Sequence, residues 1–226
     1  MTELIVVLDV DKADDAFELV EKCEGCEWFK VGMQLFARCG PSIVSEIQNR
    51  GKKVMLDLKF HDIPNTVGNA SRAAADLGVG LFTLHASGGK AMIEAAREAV
   101  EETETQILAV TILTSMSEET LRTEVGIQES PAEAVCRLAS MAVGAGAHGV
   151  VCSPLEVESV RQAVGTEPVL VTPGVRPEWS SRDDQQRVMT PGDAARAGAD
   201  FVVIGRPILQ HDDPAVAVGL IEKELR

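Results

Sequence analysis

The stretch "DLKFHDIPNT" (57–66) brings two carboxylates and one ammonium within six positions, directly after the apolar run "KVML". The carboxylates are Asp57 and Asp62, and Lys59 stands between them. Opposite charges at this spacing favour each other's ionised forms, and such groups can stabilise developing charge or transfer a proton. A strand can end in polar residues without any function. Alternating charges followed by a proline are more than an ending requires, so the stretch predicts a chemical role.

A second pair of residues suits the binding of an anion. Gly205 and Arg206 follow an apolar run directly, in "VVIGRPIL" (202–209). A glycine lets the backbone approach an anion closely, and an arginine can bind one through two parallel hydrogen bonds. The pair therefore predicts a phosphate-binding turn, with a glycine that merely ends a strand as the alternative.

The longest irregular stretch of the chain is "TPGVRPEWSSRDDQQRVMTP" (172–191). Its side chains that could contact an anion are Arg176, Arg182, Gln185 and Arg187. A long loop beside an active site is usually a lid or a binding loop. We therefore expect a mobile loop at about 173–190 that closes over a phosphate, with a tolerated insertion as the alternative.

The elements that must position these residues alternate between β-rich runs and helical segments. The helical segments often end in a glycine just before the next strand, as helix C-caps do. The strands are apolar on both faces, which indicates a parallel sheet covered by helices. The predicted strands span 4–9, 28–32, 53–59, 81–86, 107–113, 149–153, 169–173 and 201–205.

Eight such units in 226 residues predict an α/β fold, a closed (β/α)8 TIM barrel that forms a single domain over 1–226. A doubly wound open sheet is the alternative. The segment "LDVDKAD" after the first strand, however, lacks the glycines of a dinucleotide-binding turn.

The barrel gives the polar residues a common location, because active sites of such barrels lie where the strands end. Lysines and aspartates from three strands would converge there. Each residue alone also fits a helix cap or a rim salt bridge, so the prediction rests on their convergence. The candidates at the predicted strand ends are Asp9, Lys30, Asp57, Lys59, His85, Thr114, Ser153, Thr172 and Arg206.

Composition restricts the partners and the compartment. The formal net charge of −14 argues against nucleic acid or an anionic membrane as a partner. The five cysteines lack the spacing of a disulfide framework, so we expect reduced thiols in a cytoplasmic protein. Cys23 and Cys26 form one C-x-x-C pair, but the sequence has no second pair that could complete a zinc site. No apolar run reaches membrane-spanning length, and no histidine cluster faces the carboxylates, so neither a membrane nor a metal site is expected.

Three segments, "DLKFHDIPNT", "TPGVRP" and "IGRPI", occur in this order on the eight predicted units. Together they closely resemble the orotidine 5'-phosphate decarboxylase family, and the resemblance covers essentially the whole chain. It implies decarboxylation of orotidine 5'-monophosphate to uridine 5'-monophosphate and CO2, in de novo pyrimidine biosynthesis. It also implies that the reaction needs no cofactor and no metal.

The resemblance also implies roles for individual residues. The implied catalytic array, in which Lys59 is the proton donor, consists of Lys30, Asp57, Lys59 and Asp62. The implied substrate contacts are Lys30 and Asp57 together with Asp9, Thr66, Thr114, Arg176, Gln185, Gly205 and Arg206. In the family, Asp62 and Thr66 reach the active site of the neighbouring subunit, so a homodimer is implied.

Two other functions remain open at this stage. One is a Mg²⁺-dependent sugar-phosphate decarboxylase or epimerase of the same barrel group, which would need a further carboxylate ligand. The other is a non-catalytic nucleotide-binding barrel, in which Lys59 or Arg206 would be expected to be lost; both are present.

Overall fold

The computed structural model describes residues 1–180 and 189–226, and within them the strands form a closed barrel. Eight parallel strands lie in these residues; each pairs with the next in the chain, and the last pairs with the first. The predicted (β/α)8 TIM barrel is thus confirmed. The strands are β1 (Glu3–Val7), β2 (Trp28–Gly32), β3 (Lys53–Phe60), β4 (Leu81–His85), β5 (Gln106–Val110), β6 (Gly149–Val151), β7 (Val169–Pro173) and β8 (Phe201–Ile204).

Helices follow the strands on the outside of the barrel. Two short 3-10 helices, Ala86–Gly88 and Pro154–Glu156, follow β4 and β6. The α-helices in the described residues are α1 (Ala13–Lys22), α2 (Met33–Cys39), α3 (Ser42–Gln48), α4 (Pro64–Asp76), α5 (Lys90–Ala99), α6 (Glu118–Thr123), α7 (Pro131–Gly144), α8 (Val157–Val164), α9 (Pro191–Arg196), α10 (Arg206–Leu209) and α11 (Pro214–Glu224). None of the helices described here is long and apolar enough to cross a membrane.

The core has two parts because the strands are buried on both faces. The larger part lies between strands and helices, and the smaller part fills the barrel itself. Side chains alternate along a strand, so every second residue points inward. The inward-facing set consists of Ile5, Val7, Trp28, Met55, Leu81, Leu108, Val110, Val151, Val171, Phe201 and Val203. Three polar residues continue this inward-facing set on β2, β3 and β4. They are Lys30, Asp57 and Thr83, each two positions after an inward-facing apolar residue.

The last residues of β3 depart from regular pairing. Leu56 pairs with Phe82 of β4, but Phe60 pairs with Leu84, so the register shifts between these two pairs. Lys59 lies within the shift and has a φ of 51°, in the left-handed region that only glycine adopts without cost. Such bulges re-aim side chains and are frequent beside active sites.

The C-x-x-C pair is part of the core. Cys23 and Cys26 are buried at the end of α1 and before β2, and all five cysteines are free thiols. Burial raises the pKa of the Cys23 thiol to about 12 and that of the Cys26 thiol to about 11. Because only the thiolate is a good nucleophile or metal ligand, the two side chains act as small apolar residues at neutral pH.

Candidate active site

A cavity of about 500 Å³ opens at the carboxyl ends of the strands. Its wall includes most of the side chains that the sequence selects. These are Asp9, Lys30, Asp57, Lys59, Thr114, Arg176, Gly205 and Arg206. Residues from six of the strand ends or the loops that follow them thus meet in one cavity, as the barrel topology requires.

Other predicted residues lie elsewhere. Asp62 and Thr66 are exposed at the entrance to α4 and do not line this cavity, and Gln185 lies outside the described residues, as do Arg182 and Arg187. Asp62 instead accepts a hydrogen bond from the next backbone N–H, that of Ile63, at 2.7 Å.

Three residues proposed from strand ends are not part of the cavity wall. Ser153 caps the 3-10 helix after β6, where its hydroxyl accepts the N–H of Leu155 at 3.3 Å. Thr172 is buried within β7. The ring of His85 lies 5.3 Å from that of His61, and both border a neighbouring cavity of about 310 Å³. Capping explains the polar residue at position 153, because the first N–H groups of a helix need a hydrogen-bond acceptor.

Alternating charges run across the cavity floor. Lys59 Nζ lies 2.9 Å from each carboxylate oxygen of Asp57, and Lys30 Nζ lies 3.4 Å from Asp57 Oδ2. Lys30 Nζ also lies 3.3 Å from Asp9 Oδ1. The chain therefore holds Asp9, Lys30, Asp57 and Lys59 as a continuous row, in which each lysine contacts at least one carboxylate.

Asp57 is the most buried member of the row, with 8% of its surface exposed. Burial alone raises the pKa of its carboxyl, but the charges of Lys30 and Lys59 and hydrogen bonds from Lys59 and Thr83 outweigh that effect and hold the pKa below its ordinary value of 3.8. Asp57 is thus a carboxylate at neutral pH, and it keeps two ammonium groups fixed at short distance.

Two residues beside this row are absent from the sequence-based set. Thr83 of β4 donates its hydroxyl to Asp57 Oδ1 at 2.8 Å. Gly32 ends β2, and a Cβ atom added there would lie 2.8 Å from Lys30 Nζ and 3.2 Å from Asp9 Oδ1. Thr83 lies two residues after Leu81, and side chains alternate along a strand, so the sequence could have indicated that Thr83 points into the barrel. The crowding at Gly32 is visible only in the three-dimensional structure.

The predicted anion-binding residues line the same cavity, after β7 and β8. Gly205 and Arg206 follow β8, and a Cβ atom at Gly205 would lie 3.1 Å from Val7 Cβ. A side chain would therefore press on β1 at this turn. Arg176 follows β7 and is 7% exposed. Its backbone N–H donates to Met189 O at 2.9 Å, next to an isolated bridge between Val175 and Met189.

The remaining wall is largely apolar. Ile112 and Leu113 line it beyond the end of β5, next to Thr114. Cys152 also lines it, and burial raises the pKa of this thiol to about 12, so it is a neutral wall residue. Across the residues that the structure describes, no three His, Cys, Asp or Glu side chains are grouped so that they could hold a metal ion. The cavity thus combines a row of alternating charges, an apolar wall and the two arginines Arg176 and Arg206.

Comparison with known proteins gives consistent results. The sequence model described as "Orotidine 5'-phosphate decarboxylase / HUMPS family" matches residues 2–221. A protein of Syntrophotalea carbinolica named orotidine 5'-phosphate decarboxylase is 51% identical over 231 residues, which cover 99% of this chain and 94% of that protein. A protein of the same name from Saccharophagus degradans is 48% identical over 227 residues, which cover 99% of this chain and 94% of the other.

A solved structure resembles the barrel over its whole length. The crystal structure of orotidine 5'-phosphate decarboxylase from Lactobacillus acidophilus superposes with a TM-score of 0.89 at 38% identity, and the match covers all of both chains. Sequence model, relatives and structure agree over nearly every residue. The chain belongs to the orotidine 5'-phosphate decarboxylase / HUMPS family.

Proposed function

We propose that this chain decarboxylates orotidine 5'-monophosphate to uridine 5'-monophosphate and CO2, a step of pyrimidine biosynthesis. The observation that carries the proposal is the row of charges on the cavity floor, in which Lys59 Nζ lies 2.9 Å from both oxygens of Asp57. Relatives that carry this name include proteins 46–52% identical to the chain. The five free thiols fit a cytoplasmic enzyme.

The reaction breaks the bond between a ring carbon and its carboxylate, and the electron pair stays on the ring carbon as CO2 leaves. Lys59 supplies an ammonium beside that carbon, which stabilises the developing charge, and then transfers its proton to the carbon. Asp57 holds the ammonium of Lys59 in place before the substrate arrives, and Lys30 contacts the same carboxylate. Since the charge is met by fixed ammonium groups, the proposed reaction needs neither a cofactor nor a metal ion.

Asp57 has a second role in this scheme. Its carboxylate faces the position of the substrate carboxylate, so repulsion between the two decreases as CO2 departs. Thr114 and Asp9 line the same cavity, where Thr114 would contact the pyrimidine and Asp9 the ribose. We regard the preorganised ammonium groups as the larger contribution, because such electrostatic stabilisation is usually the largest single term in catalysis.

The phosphate would bind at Gly205 and Arg206, with Arg176 and Gln185 contributed by the segment 173–190. We propose that this segment closes over the phosphate as part of a single-domain barrel. Closure would expel water and strengthen every charge interaction inside.

Gly32→Ala tests whether the position of Lys30 matters for this reaction. The new methyl group would displace Lys30 Nζ from Asp9 and alter its distance to Asp57, so we expect kcat/KM for orotidine 5'-monophosphate to fall by about tenfold or more, the value of one hydrogen bond to a charged group. Steady-state kinetics provide the measurement. Gly25→Ala is the matched control, because a Cβ there meets nothing within 4 Å. Equal kinetics in the two variants would remove Lys30 from the proposed array.

We also propose that the active enzyme is a homodimer in which Asp62 and Thr66 enter the neighbouring active site. Every residue from His61 to Thr66 is exposed in the single chain, and the apolar Ile63 is 65% exposed, which suits a surface covered by a second copy.

Mixing two inactive variants tests the shared site. A hybrid dimer of Lys59→Ala and Asp62→Ala chains contains one site with both side chains intact. Random exchange in an equimolar mixture makes half of the dimers hybrids, so recovered activity should approach about a quarter of the wild-type value. Each variant incubated alone is the control. Absence of recovery after proven subunit exchange would mean that each chain completes its own site.

The overall reaction is tested by following the absorbance of orotidine 5'-monophosphate with purified protein, with and without EDTA. Rapid loss of substrate that EDTA leaves unchanged supports the proposed function. Sensitivity to EDTA would favour the Mg²⁺-dependent alternative. That alternative is disfavoured by Asp57, whose oxygens already contact Lys30 and Lys59. Binding of uridine 5'-monophosphate without any turnover would indicate a nucleotide-binding barrel.

A further inference from the structure

Thr83 connects two neighbouring members of the charged row, Asp57 and Lys59. It lies in the middle of β4 and is 1% exposed. Its hydroxyl donates to Asp57 Oδ1 at 2.8 Å and accepts the backbone N–H of Lys59 at 2.9 Å. A threonine hydroxyl has one hydrogen to donate and lone pairs to accept with, so both contacts form at once.

The contact with Lys59 replaces regular strand pairing. The register between β3 and β4 shifts between Leu56 and Phe60, and the backbone N–H of Lys59 lies inside the shift. The left-handed conformation of Lys59, with a φ of 51°, is one that a lysine holds only when its surroundings enforce it. The Thr83 hydroxyl is a neighbouring group that contacts this backbone directly.

The contact with Asp57 restricts the carboxylate. Lys59 and Thr83 both approach Asp57 Oδ1, while Lys30 and Lys59 approach Oδ2. Both oxygens therefore have fixed partners, and the carboxylate cannot rotate without losing one of them. Because Lys59 Nζ is held at 2.9 Å from both oxygens, the orientation of Asp57 sets the position of the ammonium.

We propose that Thr83 is a positioning residue for the decarboxylation, which fixes the Asp57 carboxylate and the Lys59 backbone through one hydroxyl. The inference rests on the proposed function of the cavity. Thr83 itself is not among the described residues that line the cavity, so it acts through Asp57 and Lys59 and not on the substrate. Substrate affinity, which depends on the ribose and phosphate contacts, should then be little affected by its loss.

Thr83→Val tests this proposal, because valine keeps the shape of threonine and lacks the hydroxyl. We expect kcat to fall by about 10- to 100-fold, the range that hydrogen bonds to charged groups contribute, with KM changed little. Thr83→Ser keeps the hydroxyl and should recover most of that loss. If the valine variant does not fold, Thr83→Ala compared with Thr83→Ser gives the same contrast.

Thr105→Val is the matched control. Thr105 is likewise buried and donates its hydroxyl at 2.7 Å, but to the backbone oxygen of Val79, before the start of β5 and away from the row. It should lose stability as Thr83→Val does and keep its kcat. A kcat of Thr83→Val no lower than that of Thr105→Val would overturn the proposal, as would a Thr83→Ser variant as slow as Thr83→Val.

Hydrogen exchange of the Lys59 amide provides a readout that needs no turnover. Without the Thr83 hydroxyl, this amide should exchange about five- to tenfold faster in Thr83→Val than in wild type, and at the wild-type rate in Thr105→Val. Unchanged exchange would overturn the inference even if the protein is an active decarboxylase. Wild-type protein without turnover would instead refute the proposed function, while the exchange result would still report the hydrogen bond.

Discussion

Lys59→Ala should lower kcat for orotidine 5'-monophosphate by about 10⁴-fold or more, because in the proposed reaction one side chain supplies both the proton and the nearest positive charge. A positioned proton donor contributes about 10²–10⁴-fold, and one preorganised electrostatic donor about 10²–10³-fold. The ammonium of Lys30 cannot replace it, since it is held between Asp57 and Asp9. Absorbance measured over hours at high enzyme concentration gives the residual rate.

The control for this variant lies on the same strand. Lys53 begins β3 at the opposite end of the barrel, where its Nζ lies 2.7 Å from Glu27 Oε1. Lys53→Ala removes the same charge and a similar ion pair, and its kcat should equal that of wild type. A Lys59→Ala protein that retains more than about a tenth of wild-type turnover would show that the proton comes from elsewhere, because a tenfold change is only about 1.4 kcal/mol of barrier.

A substrate without its phosphate should lose turnover as well as affinity. Orotidine carries the reacting ring unchanged, but it offers nothing to Gly205 and Arg206. Binding energy from remote groups is used to assemble an active site, so truncated substrates lose kcat and not only KM. We expect kcat/KM for orotidine to be lower by about 10³-fold or more, since charged hydrogen bonds contribute about 1.5–3 kcal/mol each and arginine forms two to a phosphate.

Arg206→Ala shows whether that loss arises at the predicted phosphate site. It should lower kcat/KM for orotidine 5'-monophosphate by about 10²–10⁴-fold and affect orotidine much less, so the preference for the phosphorylated substrate shrinks. Arg196→Ala is the control: Arg196 ends α9 on the surface, paired with Asp193. If Arg206→Ala slows both substrates equally, the arginine acts on the ring or on folding and not on the phosphate.

The fold was predictable because the hydrophobic signal is strong and regular. The predicted strands at 28–32 and 169–173 coincide with β2 and β7. The predicted strand at 107–113 extends beyond β5, which ends at Val110, because Ile112 and Leu113 are apolar for a different reason: they line cavities. Hydrophobicity alone does not distinguish a strand from the apolar wall of a binding site.

The charged row was predictable because residue type and strand end coincide there. Asp9, Lys30, Asp57 and Lys59 fulfil both conditions and meet in the cavity. Thr83 meets Lys59 only because the register of β3 shifts, and no local pattern in the sequence indicates that shift. The roles of Asp62 and Thr66 depend on a second chain and stay predictions, as does the role of Gln185.

The left-handed backbone at Lys59 has opposite consequences for stability and for the proposed reaction. A non-glycine residue in this conformation costs about 1–2 kcal/mol, a noticeable share of the roughly 5–15 kcal/mol by which proteins are stable. Glycine would fit this backbone better than lysine does. Redesign guided by backbone strain alone would therefore favour glycine at position 59, and it would remove the proposed proton donor together with its contacts to Asp57.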